Sequence, residues 1–208
     1  MRIIKEACVG SYLEAKRASV LGAERIELCD NLKEGGTTPS YGTILMAKET
    51  LKLPINVMIR PRGGNFIYSE DEIKIMEKDI ALCRKAQVNA IVIGALTADH
   101  QIDAAVVERL VKQAGELKVT FHMAFDEIAD KKAALEQLIA YGIDCVLTKG
   151  GPGTALENRE TLKALVEQAE DRIVILAGGG VTKDNYQQIV AETGVKEVHG
   201  TKIVGPLS

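Results

Sequence analysis

The sequence predicts an α/β protein, a (β/α)8 TIM barrel whose final helix is short or absent. Three observations carry that prediction. Short runs rich in Ile and Val recur eight times along the chain. Between them lie stretches that are apolar at every third or fourth position, the spacing of helices with one buried face. The alternation has the period of a βα unit, which with right-handed crossovers gives a parallel sheet, and eight such units close into a barrel. An open doubly wound sheet is the alternative, but it needs a reversal of strand order that nothing in the sequence marks. With 208 residues, 46% of them hydrophobic, the chain can fill one core. Residues 1–208 are read as a single domain.

The first strand, "IIKEACV" (3–9), starts almost at Met1, leaving no room for a leader peptide. "RIELC" (25–29) and "INVMI" (55–59) follow. A helix over 69–86, "SEDEIKIMEKDIALCRKA", opens on Ser69 as a cap and leads to the fourth strand, "AIVIG" (90–94). Another, "DAAVVERLVKQAGE" (103–116), opens on Asp103 and precedes "VTFHM" (119–123). "CVLT" (145–148), "IVILA" (173–177) and "EVHG" (197–200) complete the eight. After the last, only "TKIVGPLS" remains, too short for an ordinary closing helix. The first and eighth strands then lack one outer cover. A second copy of the chain is expected to bury that edge, giving a homo-oligomer, a dimer or tetramer.

Charge narrows the partners. A net charge of −3 comes from interspersed acids and bases, without the basic stripe that a phosphate backbone requires, so nucleic acid is not an expected partner. No run approaches the roughly 20 apolar residues of a membrane span, and a cytoplasmic protein is expected. Cys8, Cys29, Cys83 and Cys145 stand in no CxxC pair. They read as reduced thiols, and any metal site must be assembled by the fold.

Strand side chains alternate, so residues two apart share a face. The polar residues fall on one face: Glu6 with Cys8, Glu27 with Cys29, Asn56 with Arg60, Thr120 with His122, Glu197 with His199. Their alternates, among them Ala7, Val9, Ile26, Leu28, Phe121 and Val198, face the helices. Charges inside a barrel are costly unless paired, and Arg60 with Arg62 is the expected partner of Glu6 and Glu27. One reading makes this network structural filling. The other makes it a site, because the polar residues lie toward the carboxyl ends of strands, where barrel enzymes work. His122 and Asp126 in "TFHMAFD" are candidate acid or base groups. His100 is expected to be exposed, and Cys83 and Cys145 to be core residues. The loops "EGGTTPS", "RPRGGNF", "TKGGPGT" and "AGGGV" are glycine-rich, as turns require. "AGGGV", with Gly178, Gly179 and Gly180 before a helix opening at Asp184, stands where many barrels bind phosphate, beside "HGTK". Glu-x-Cys occurs in two consecutive strands. If Cys8 and Cys29 meet, which the barrel's stagger opposes, a soft low-coordinate metal such as Cu(I) suits them, with Met123 or a histidine as third donor.

"RIELCDNLKEGGTTPSYG", "VMIRPRGGNFIYSEDEI", "VIGALTADHQID", "VTFHMAFD" and "AGGGVT" together resemble the CutC family of copper homeostasis proteins, in order over nearly the whole chain. The resemblance implies a (β/α)8 barrel, a cytosolic oligomer and a role in handling Cu(I), with copper-binding cysteines matching Cys8 and Cys29. It implies a polar mouth of Glu6, Glu27, Arg60, Arg62, His122, Asp126 and His199. Two departures stand out: Met123 where similar proteins have Arg, and the short stretch after "EVH". Two functions are therefore carried forward. One is copper homeostasis through Cu(I) binding. The other is an enzyme acting on a small phosphate- or carboxylate-bearing ligand, using Glu6, Glu27, Arg60, His122 and Asp126 for catalysis and Arg62, His199 and the Gly178–Gly180 amides for binding. Whether the chain is an enzyme stays open at this level.

Overall fold

A computed structural model describes residues 2–207. Eight strands, β1 (Ile4–Val9), β2 (Arg25–Leu28), β3 (Ile55–Met58), β4 (Ala90–Ile93), β5 (Lys118–Phe121), β6 (Cys145–Thr148), β7 (Val174–Ala177) and β8 (Glu197–Gly200), pair in sequence order and close into a parallel barrel. Seven helices wrap it: α1 (Tyr12–Val20), α2 (Tyr41–Thr50), α3 (Glu70–Lys85), α4 (Ala104–Ala114), α5 (Lys131–Ala140), α6 (Arg159–Ala169) and α7 (Tyr186–Thr193). The (β/α)8 expectation holds, and no helix follows β8 among the described residues.

The local chemistry is what starts these elements. Ser69 accepts a hydrogen bond from the Glu72 amide while Glu72 reaches back to the Ser69 amide, a reciprocal cap that fixes the start of α3. Ser40, Asp103 and Asp130 cap α2, α4 and α5 with one side-chain oxygen each. The helix after "AGGGV" begins later than Asp184, at Tyr186, with Asn185 as its cap residue. Ile26, Leu28, Ile55, Ile91, Ile93, Phe121 and Val198 are buried against the inner faces of the helices in one continuous core. They are the outward set, so the division of strand faces read from the sequence is the observed one.

In place of an eighth helix, residues 201–207 fold over β8 and β1. Ile203 and Leu207 are buried there, and Arg17 of α1 donates to the Leu207 carbonyl at 2.8 Å. The cover is partial. A cleft of about 530 Å³ lies between the start of β1 and α7, lined by Ile3, Lys5, Glu24, Tyr186 and Val190.

Candidate functional site

Register places the inward side chains. Cys8 pairs with Glu27 across β1 and β2, Glu6 pairs with both Arg25 and His199, and Glu27 pairs with Asn56. Parallel partners point the same way, so Glu6, Cys8, Arg25, Glu27, Asn56 and His199 converge in one sector of the barrel interior. Glu6 is 1% exposed, Glu27 2%, His199 6% and Cys8 8%. Charges this deep need partners.

The partners differ from those expected. Arg25, the first residue of β2, grips Glu6 with its Nε and Glu197 with a terminal nitrogen. Asn56 donates to the same Glu6 carboxylate at 3.0 Å. Arg60 and Arg62 do not hold Glu6 and Glu27. The terminal nitrogens of Arg60 donate to the carbonyls of Glu34, Gly36 and Gly64, and Arg62 binds Glu72 and the carbonyls of Gly63, Asn65 and Ile67. Both arginines pin the "RPRGGNF" loop. The carboxylate network also runs toward the amino ends of the strands, at Arg25 and Glu197, rather than clustering only at the carboxyl ends.

His199 stands at the centre. Its Nδ1 lies 2.8 Å from Glu6 Oε1 and its Nε2 3.6 Å from Glu27 Oε2. Burial works against the imidazolium, but Glu27, Cys8 and Glu6 outweigh it and raise the His199 pKa well above the ordinary range. Burial likewise opposes ionisation of Glu6, yet the Arg25 charge and His199 bring its carboxyl down to about 2. For Glu27, burial comes first and, with the Cys8 and Glu6 charges, outweighs the His199 charge 3.6 Å away, so its pKa is pushed well up. One of its oxygens, Oε1, has no hydrogen-bond partner, while Oε2 accepts from the Cys29 thiol at 3.5 Å.

The two cysteines do meet, contrary to the argument from stagger. Cys8, Cys29, Met58 and Val92 form one small apolar cluster. The pair divides: Cys29 and His199 beside it lower the Cys8 pKa, while Cys8 and burial raise that of Cys29. Met58 shares this cluster with both cysteines. Met123 packs instead with Cys145, Leu147 and Leu176.

The remaining candidates scatter. His122 is 4% exposed, with Nδ1 accepting from the Ala124 amide at 3.1 Å and Nε2 without a partner. Burial, then the Arg60 charge, pushes its pKa down to about 3, so the ring is neutral. A Cβ on Gly94 would sit 2.3 Å from the ring, so the imidazole occupies space that only glycine leaves. Asp126 does not face the cluster; it accepts from Thr148 Oγ1 at 2.6 Å and from the Lys149 amide at 3.1 Å, fixing the end of β6. In "AGGGV", the Gly178 amide is committed to the Thr148 carbonyl. The amides of Gly179 and Gly180 have no hydrogen-bond acceptor among the described residues. A bridge between Thr182 and Lys202 joins this loop to the one after β8. Cys83 and Cys145 are buried and His100 is exposed, as expected. Arg25 was missed because a strand's first residue reads as exposed; its register with Glu6 exists only once the barrel closes.

The model of the CutC family matches residues 3–204. The chain is 46% identical over 196 residues to the human copper homeostasis protein cutC homolog, covering 94% of this chain and 72% of that protein. It is 44% identical over 209 residues to an Enterococcus faecalis family protein CutC, covering 97% of this chain and all of that one. The solved structure of CutC from Streptococcus agalactiae superposes with a TM-score of 0.93 at 44% identity, over 97% of this chain and 99% of that one. A deoxyribose phosphate aldolase from Aeropyrum pernix, 14% identical with a TM-score of 0.70 over 98% and 88% of the two chains, shares the barrel fold alone.

Proposed function

The chain belongs to the CutC family, and from that premise we propose that it serves copper homeostasis by binding Cu(I) at Cys8 and Cys29. The observation that carries this reading is the gathering of Cys8, Cys29 and Met58 in one small buried cluster. Cu(I) favours few, soft ligands, and a pair of sulfurs with a third soft donor suits it. The lowered Cys8 pKa favours its thiolate form, and the metal would draw the proton from Cys29 on binding. The reading places the protein in the cytoplasm, where thiols stay reduced. Among the described residues no helix is long and apolar enough to cross a membrane.

The test is Cu(I) titration under strict reduction against a chromophoric competitor. Wild type is expected to take up one Cu(I) per chain, and Cys8→Ser and Cys29→Ser each to lower the affinity by at least about 100-fold, the loss of one of two thiolate ligands. Retained affinity in both variants overturns the copper reading. It would leave the second reading, an enzyme acting on a small anionic ligand, which is favoured by the orphaned Nε2 of His122 and by the unpartnered amides of Gly179 and Gly180.

A further inference from the structure

We propose that Cys8, Glu27 and His199 form a binding site for one divalent cation of the zinc class, sharing only Cys8 with the two-thiol copper site. One thiol sulfur, one carboxylate oxygen and one imidazole nitrogen from these residues lie within 4.8 Å of one another. Four-coordinate zinc, with bonds of about 2.0–2.3 Å, sets its donors roughly 3.3–3.8 Å apart. The Nε2 of His199 and Oε2 of Glu27 are already 3.6 Å apart. Only a small closure on the sulfur side completes the set.

Two further observations point to a missing ligand. Glu27 Oε1 is buried without a hydrogen-bond partner, an expense that a cation would offset. His199 is tied through Nδ1 to Glu6 at 2.8 Å, and Glu6 is held by Asn56 at 3.0 Å and by Arg25. A carboxylate on the far nitrogen of a histidine, itself anchored, is the arrangement that orients metal-binding imidazoles and leaves Nε2 free for the ion.

The donor set selects the metal class. Sulfur, nitrogen and oxygen together suit a borderline ion, whereas Cu(I) gains little from a hard carboxylate. Cys29 is not required. Three protein ligands leave the fourth position of a tetrahedral ion to a water or a ligand oxygen, the pattern of zinc sites that act on bound molecules rather than of closed structural ones.

The reduced, metal-free protein is dialysed against zinc, and binding is read by competition with a chelating dye. Wild type is expected to hold one zinc per chain, with Glu27→Gln and His199→Gln each weakening it by at least about 10-fold. Cys29→Ser should keep zinc while losing Cu(I), and Glu27→Gln should keep Cu(I) while losing zinc. These crossed outcomes separate failure of this proposal from failure of the copper reading. Cobalt(II) in the wild-type chain needs no folded variant: it should give a thiolate-to-metal charge-transfer band and the intense visible bands of a tetrahedral site. Absence of those bands, wild type without stoichiometric zinc, unchanged zinc affinity in Glu27→Gln and His199→Gln, or loss of zinc in Cys29→Ser would each overturn the assignment.

Discussion

At the scale of single residues, the inward polar set is legible because period-two alternation is a property of the strand itself. Glu6, Cys8, Glu27, Cys29 and His199 could be placed on one face without knowing any neighbour. Their pairing could not. Which cation meets Glu6 depends on the stagger of β1 against β2, and that register puts Arg25 opposite Glu6 while Arg60 lies a strand further round. His122 gives the clearest consequence of burial. It stays neutral down to about pH 3, whereas in the unfolded chain it takes a proton near the ordinary 6.5. Its contribution to stability is therefore complete above pH 6.5 and is lost as pH falls toward 3. His199 and Glu27, whose pKa values move up, act in the opposite direction, so wild type must be compared with a variant. His122→Asn keeps an acceptor for the Ala124 amide and removes the titration. Urea unfolding at pH 7 and pH 5 should show wild type losing about 2 kcal/mol more than His122→Asn over that interval. Equal losses would show that His122 titrates freely in the folded protein.

At the scale of elements, strand order and helix starts were readable because caps and glycine-rich turns are local signals. The behaviour of the loop after β3 was not. "RPRGG" suggested two cations aimed at an anion, yet six backbone carbonyls and one acid of α3 claim the arginines. Backbone carbonyls carry no sequence signature, so a competition they win cannot be foreseen from composition. The loop's order rests on Arg60, whose guanidinium joins Glu34 and Gly36 on one loop to Gly64 on the next and stacks 5.0 Å from the Phe66 ring. Phe66 in turn lies 4.8 Å from His122. Arg60→Ala should therefore free residues 61–68 as a unit, without unfolding the barrel. Hydrogen exchange should speed up by at least about 10-fold at the amides of this loop and of 34–36, each lost hydrogen bond counting for about 1 kcal/mol. Exchange in β1 and β8 should not change. Uniform acceleration across the chain would mean that Arg60 stabilises the whole fold rather than its loops.

At the scale of the whole molecule, no helix stands between α7 and α1 among the described residues. Residues 201–207 fill part of that place through Ile203 and Leu207, but the neighbouring surface stays apolar: Leu13 is 67% exposed and Val20 82%, both on α1. They are seven residues apart, two turns of helix, so they share one face of α1. A monomer carries scattered exposed apolar residues without penalty, but two large ones on one helix face suit burial by a second copy of the chain. Such burial is the prediction, and it is the homo-oligomer expected from the sequence. Sedimentation at micromolar concentration should give at least twice the 22.5 kDa of one chain. Leu13→Asp and Val20→Asp, both at exposed positions where folding costs stay within about 0.5 kcal/mol, should shift the population toward monomer. If α1 forms the interface, the double variant should dissociate more than either single one, since neighbouring contacts on one face act together. A wild-type chain that sediments as a monomer across the micromolar range would show that the tail alone suffices to cover β8 and β1.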